Sequence, residues 1–327
     1  MMFRRRDLSG RPLPELSDRQ LMARYRSVHP EIDADDNPQG RAELLAALAE
    51  EATRRRPDDD SFWYDRGMYA KWRADWAHSA EFSRRALELI PDHHRQEQPA
   101  AWNLGIAATA LRDWPTARAA WETFGLVLPC AALPNEAVTA DFGPAPVRLN
   151  AEPRFAGQEP LSIDGQVWET EVVWTQRLCP ARAQIVNVPT PQSGHRFGDI
   201  VLHDGDPVGS RRIDGQEVGV FNEIMLWERS TVPTLTAQVV APAPDDVEEL
   251  TDLLPAAEDW GQTVRMLCTA CSEGNAVPGH DHSADEVWAP EREVGISAEP
   301  DEAREVLERW ASDAEGRAVR ALEVALN

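Results

Sequence analysis

A chain that matches itself at a fixed offset has few folds open to it. Slid by 38 residues, this sequence lays Gly67 on Gly105, Asp75-Trp76 on Asp113-Trp114, and Pro91 on Pro129. A unit of that period cannot bury its apolar face alone, so neighbouring copies must stack. Each copy reads as a helical hairpin. The first predicts helices over 61–73 and 76–90 with a turn at Ala74-Asp75. The second predicts helices over 100–112 and 114–128 with a turn at Asp113. Pro91 and Pro129 are the expected stops, because proline cannot continue a helix. Small residues at Gly67/Gly105 and Ser79/Ala117 would let the paired helices approach closely, and Trp63 and Trp121 would fill the gaps between neighbours.

The residues that repeat resemble the tetratricopeptide pattern. The first copy matches at Trp63, Gly67, Ala70, Ala86 and Pro91. The second matches at Leu104, Gly105, Ala108, Ala117, Trp121 and Pro129. The helix expected over 39–55, ended by Pro57, fits the second helix of a degenerate earlier unit, so the resemblance spans 39–129. Trp102 stands one position from the usual tryptophan, and four extra residues lengthen the loop over 92–99. The resemblance implies a helical groove that recognises a protein or peptide partner. Two clear copies are few for a free-standing stack, so a cap is expected. Ser17 opens a short helix over 16–28 ahead of the repeats, after a loose arm over 1–15, and 33–38 reads as an acidic loop.

Beyond the repeats the pattern changes. Residues 131–160 are rich in proline and small residues and read as a linker. Period-two alternation then predicts strands over 167–177, 183–188, 197–203, 208–213 and 218–227. Asp164-Gly165, Asp204-Gly205 and Asp214-Gly215 supply the positive φ of tight turns, so the expectation is an antiparallel meander over 161–230. The last third alternates: strand 234–240, helix 244–254, strands 262–267 and 293–298, and a helix from 300 through Trp310 with acids at its positive end. Residues 317–326 fit a strand or a helix; the strand gives the order β-α-β-β-α-β of a ferredoxin-like sandwich. The expected class is therefore α+β and multidomain: a helical repeat domain at 16–130, the linker, the β-rich module, and an α+β module at 231–327.

Composition bounds the partners. The chain has 327 residues and a formal net charge of −23, a field that repels nucleic-acid backbones and anionic lipid. A basic protein or peptide would be attracted. Residues 241–327 concentrate this charge, with 21 acidic residues against 6 arginines. No run of 18 apolar residues predicts a membrane span, and Arg4-Arg5-Arg6 is followed by no apolar run that would make a secretory signal. A cytoplasmic protein with its four cysteines reduced is the expectation.

One stretch carries metal chemistry. Cys268 and Cys271 are spaced as a Cys-x2-Cys turn, which points both sulfurs one way. His280 and His282 lie at i and i+2, which on an extended segment share a face. Two sulfurs and two nitrogens suit tetrahedral zinc in a structural role, with an empty polar loop or thiol redox chemistry as alternatives. Gly274 and Pro278 argue against the helix that a redox motif needs.

Other residues invite weaker readings. His195 and Arg196 with Asp199, and His203 with Asp204 and Asp206, place acid–base groups together, although polar residues also belong at hairpin ends. Cys179 reads as a core or surface thiol. No nucleophile elbow, phosphate loop or dinucleotide fingerprint is present, so no residue is assigned a catalytic role. Six of the twelve tryptophans fall within residues 63–121. Trp72 is least explained by the repeat; beside Arg73, and with Tyr69, it is the candidate partner-binding surface. The leading expectation is an adaptor that binds a partner through the repeats. The alternatives are an immunity-type inhibitor of a basic toxin or nuclease, and a zinc- or thiol-dependent enzyme.

Overall fold

The computed structural model describes residues 12–28, 38–128, 133, 135–151, 162–213, 216–254, 256–260 and 288–327. The expectations placed on 1–11, 33–37, Pro129, Asp214-Gly215 and the strand 262–267 lie outside these residues. The chain divides into two compact units, Met1–Val138 with Pro153–Glu159, and Thr139–Glu152 with Pro160–Asn327.

The first unit is helical: α1 Asp18–Val28, α2 Pro38–Arg55, α3 Asp60–Trp72, α4 Trp76–Leu89, α5 Pro99–Ala110 and α6 Trp114–Phe124. Ser17 and Gln20 open α1 with a reciprocal box, Ser17 N–H to Gln20 Oε1 at 3.0 Å and Gln20 N–H to Ser17 Oγ at 3.4 Å. The 38-residue offset survives in the backbone. Ala74 and Arg112 both take positive φ, 53° and 60°. Asp75 caps α4 by accepting from His78 N–H at 3.3 Å, and Asp113 caps α6 by accepting from Thr116 N–H at 3.2 Å.

Close approach explains the paired glycines. A Cβ on Gly67 would stand 2.6 Å from Ser83 Oγ, and one on Gly105 would stand 2.5 Å from the Trp121 ring. One boundary differs from expectation: α6 ends at Phe124, not at 128. Gly125 adopts φ 107° and closes the helix with its N–H on Trp121 and Glu122 carbonyls. A left-handed glycine terminates a helix before a later proline can act.

In the second unit, β1 Pro144–Leu149, β2 Glu171–Arg177, β3 Arg182–Ile185, β4 Ile200–His203 and β6 Gln216–Glu228 pair antiparallel in the order β1-β2-β3-β4-β6. The ring closes through a parallel pairing of Val147 with Phe221 and Arg148 with Asn222. The expected antiparallel meander thus closes into a five-stranded barrel. An odd number of alternating strands must bring first and last together in the same sense. β5 Gly209–Ile213 forms a hairpin with the first part of β6. The closing strand β1 comes from the stretch expected as a linker; its two prolines lie in its first three residues, ahead of the segment shared with β6. Val147, Leu149, Val173, Ala183, Ile185, Val201 and Phe221 fill the interior.

The same unit continues through β7 Thr234–Val240, α7 Pro244–Asp252, β8 Ala257–Asp259, β9 Glu291–Ser297, α8 Pro300–Asp313 and β10 Ala318–Leu326. The second sheet runs β10-β7-β9-β8, every pair antiparallel. The strand reading of 317–326 holds. Leu235, Ile296, Leu250, Leu307 and Trp310 form the core between the sheet and the two helices. Glu258 of β8 reaches the segment after β3, accepting from Val188 N–H at 3.1 Å and Asn187 Nδ2 at 3.2 Å.

Candidate partner-binding groove

The helical unit holds a cavity of about 430 Å³ lined by α2, α3 and α4. Helical spacing selects its residues. On α2, Glu43, Ala46, Ala47 and Glu50 fall at i, i+3, i+4 and i+7 and share a face. On α3, Arg66 and Tyr69 share a face, with Arg73 just past the helix end, and on the α4 side stand Asp75, His78 and Phe82. The two alanines keep the α2 side low, so the carboxylates of Glu43 and Glu50 flank open space.

These side chains differ in how far they are committed. Arg66 lies over the Phe82 ring at 3.9 Å and the Trp63 ring at 5.2 Å, and donates to Thr53 Oγ1 at 3.2 Å. Burial lowers its pKa, against the charges of Glu50 and Glu81. His78 Nδ1 is 2.7 Å from Asp75 Oδ2, and its ring stacks on Phe82. Burial raises the Asp75 carboxyl, but the His78 ring and backbone N–H and the nearby Arg73 charge outweigh it, and the net shift is downward. Among the described residues, the exposed side chains of Glu43, Glu50 and Arg73 hold no hydrogen bond or ion pair. The groove therefore offers three uncommitted charges to an incoming group.

Two of the three residues expected at a partner surface line this groove. Arg73 stands at its rim. Tyr69 is only 3% exposed and forms its floor, with burial and the Asp65 charge raising the phenol's pKa. Trp72 is corrected: its ring packs on Tyr69 at 5.2 Å between centroids and joins the core of Leu21, Leu45 and Leu48, so it braces the groove from behind. Glu43, Glu50, Arg66, His78 and Phe82 were missed, although the i, i+7 charge pairs on two successive helices were a readable signal. Lys71, the only lysine, is buried and donates to Asn103 Oδ1 at 2.9 Å, linking α3 to α5.

The zinc candidates Cys268, Cys271, His280 and His282 lie outside the described residues. Among the described residues, no group of three or more His, Cys, Asp or Glu is placed to hold a metal. Nor is any described helix long and apolar enough to cross a membrane.

Asp204 and Asp206 stand in the turn after β4, with Asp206 exposed, but the two histidines and Asp199 are not at exposed hairpin ends. His195, Asp199 and His203 are fully buried. His195 Nδ1–H donates to the Ser193 carbonyl at 3.0 Å, while Nε2 sits 2.8 Å from Glu223 Oε1. Burial lowers the His195 pKa, but the Glu223 charge and hydrogen bond reverse this and leave it raised. Glu223 Oε2 accepts from Asn150 N–H at 2.9 Å. Asp199 accepts from Ser230 N–H, Arg196 N–H and Arg229 Nη1 at 2.7, 2.9 and 3.1 Å. Sealed groups with their lone pairs in use make a clasp between strands and loops. His203 lies against Phe221 with neither ring nitrogen paired; burial and the Arg177 charge push its pKa down to about 3. Cys179 is a buried free thiol.

Comparison with family models, curated proteins and solved structures finds no match for this chain.

Proposed function

We propose that this is a recognition protein that holds a segment of another protein in the α2–α3–α4 groove. The supporting observation is the groove itself: a cavity of about 430 Å³, inside the size range of ligand pockets, rimmed by the uncommitted side chains of Glu43, Glu50 and Arg73. The tetratricopeptide-like residues of the two hairpins favour the same reading, since such stacks present grooves between successive units. The β10-β7-β9-β8 order suits a ferredoxin-like module, and the spacing of Cys268, Cys271, His280 and His282 supports a structural zinc within it.

The test is selection from a random peptide library displayed to the full chain, run beside a Glu50→Lys, Arg73→Glu double variant. Peptides enriched by the native chain and lost by the variant are expected. Enrichment that survives the double variant, or no enrichment at all, would defeat the reading.

A further inference from the structure

We infer that the outer edge of β10 is a docking surface for a second copy of this chain, whose own β10 joins it as an antiparallel strand centred on Leu322. This stands apart from the groove and does not depend on it.

β10 is the edge strand of the second sheet: it pairs with β7, and among the described residues no other strand pairs with it. Its nine residues present about 30 Å of backbone, whose outward N–H and C=O groups offer a template for an added strand. Edges protected from pairing commonly carry proline or lysines. β10 has no proline and one charge of each sign, Arg320 and Glu323. Val324, an apolar residue, is 52% exposed there.

The register with β7 shows how a copy fits. Arg320 and Ala325 are the extra residues at two irregularities, and seven residues stand opposite β7. Val319, Leu322 and Val324 lie opposite Val239, Ala237 and Leu235, which are buried in the core beneath the helices. Ala318, Ala321, Glu323 and Leu326 face the other way. These seven positions alternate symmetrically about Leu322. A two-fold axis there sets Leu322 against itself, Ala321 against Glu323, Val319 against Val324, and Ala318 against Leu326. Each pair then shares a face, as an antiparallel ladder requires. A centre on any other of the seven leaves residues at one end of the strand without an opposite.

The same axis satisfies the side chains. Val324 is covered by the partner's Val319. Arg320, the extra residue between Val319 and Ala321, falls beside the partner's Glu323, and symmetry makes that contact twice. Arg320 and Glu323 are both exposed and hold no hydrogen bond or ion pair among the described residues.

Sedimentation velocity of the full chain from about 1 to 100 µM, in about 150 mM salt, reads the association. The mass should rise from 36.5 kDa toward twice that value. Glu323→Arg and Arg320→Glu, each checked for native circular dichroism, should weaken dimerisation about tenfold, since each sets like charges side by side twice. Glu323→Arg also reduces the net charge of −23, which alone would favour association, so a loss reports the local contact. The Arg320→Glu, Glu323→Arg double variant should recover the dimer, because the swap rebuilds both opposite-charge pairs at unchanged net charge. A chain that stays monomeric at the highest concentration would overturn the inference. So would a dimer indifferent to either reversal, or one weakened by both and not recovered in the double variant.

Discussion

Replacing Gly105 by alanine isolates the contact that sets the second hairpin. Alanine is the better helix former, by about 1 kcal/mol in a helix interior, so propensity alone predicts stabilisation. The structure predicts the opposite. The new Cβ would stand 2.5 Å from Trp121 Cη2 and 2.6 Å from Cζ2 and Cζ3. Carbon pairs sit comfortably at about 3.5–4.0 Å, so roughly 1 Å must be found. The indole cannot swing away: it is fully buried and set edge-on to Trp102, with centroids 4.9 Å apart. Overpacking of this kind costs about 1–3 kcal/mol, and a rigid ring places it in the upper part of that range. After the propensity gain, a net loss of about 1–2 kcal/mol remains, a fall of about 4–8 °C in the helical unit's melting temperature. Gly67→Ala should be milder, since its nearest contact is the rotatable Ser83 hydroxyl at 2.6 Å. Scanning calorimetry of the full chain, with circular dichroism at 222 nm, measures both. Adding Trp121→Leu should remove most of the Gly105→Ala cost in a double-mutant cycle. A Gly105→Ala protein as stable as the parent, or a cost unchanged in the Trp121→Leu background, would refute the close-packing argument.

The remaining predictions concern the other buried groups and the rim. His195 has a raised folded pKa, so its contribution is fully present below its unfolded value near 6.5 and is lost as pH rises through the folded one. Amide exchange in β6, corrected for intrinsic rate, should show protection falling over that window, and Glu223→Gln should flatten the dependence. Asp259→Ala leaves Arg292 buried without its carboxylate, now held at 2.6 Å, and should cost about 3–5 kcal/mol in urea unfolding; a loss under about 1 kcal/mol would contradict it. Arg73→Ala breaks no side-chain ion pair or hydrogen bond among the described residues and should change stability by less than about 0.5 kcal/mol while weakening peptide capture. Elemental analysis should find one zinc per chain, lost in a Cys268→Ser, Cys271→Ser variant; a metal-free native chain would remove the zinc reading.

The helical hairpins were legible because glycine, aspartate and proline act locally: Asp75 and Asp113 cap the helices that they precede in sequence. In the last module the strands at Thr234–Val240 and Glu291–Ser297 and the two helices followed from alternation and the acids that open those helices, whereas β8 at Ala257–Asp259 was not expected. The barrel's closing strand was hidden, because its prolines mimic a linker and its partner Phe221 lies more than seventy residues away. Sequence separation also hid the clasp: Glu223 meets His195 across 28 residues and Asn150 across 73. A histidine written beside an arginine and an aspartate looks like surface chemistry until long-range pairing buries it.

The groove was half legible for a related reason. Arg73 could be nominated from its own neighbours, but its opposite side belongs to α2, whose position depends on the cap that the short stack requires. That cap is α1 with the turn at Leu13–Glu15. Arg55, at the end of α2, donates to the Leu16 carbonyl at 2.6 Å and the Leu13 carbonyl at 3.0 Å, and pairs with Asp18 at 2.9 Å and Glu51 at 2.6 Å. Leu16, Leu21 and Tyr25 then cover the outer face of α2 with Leu45 and Leu48. With its apolar stripe committed to the cap and to α3, α2 has one face left, the face of Glu43 and Glu50. The carboxylate side of the groove is thus fixed by residues that never touch it, and its charges are held by a packed scaffold.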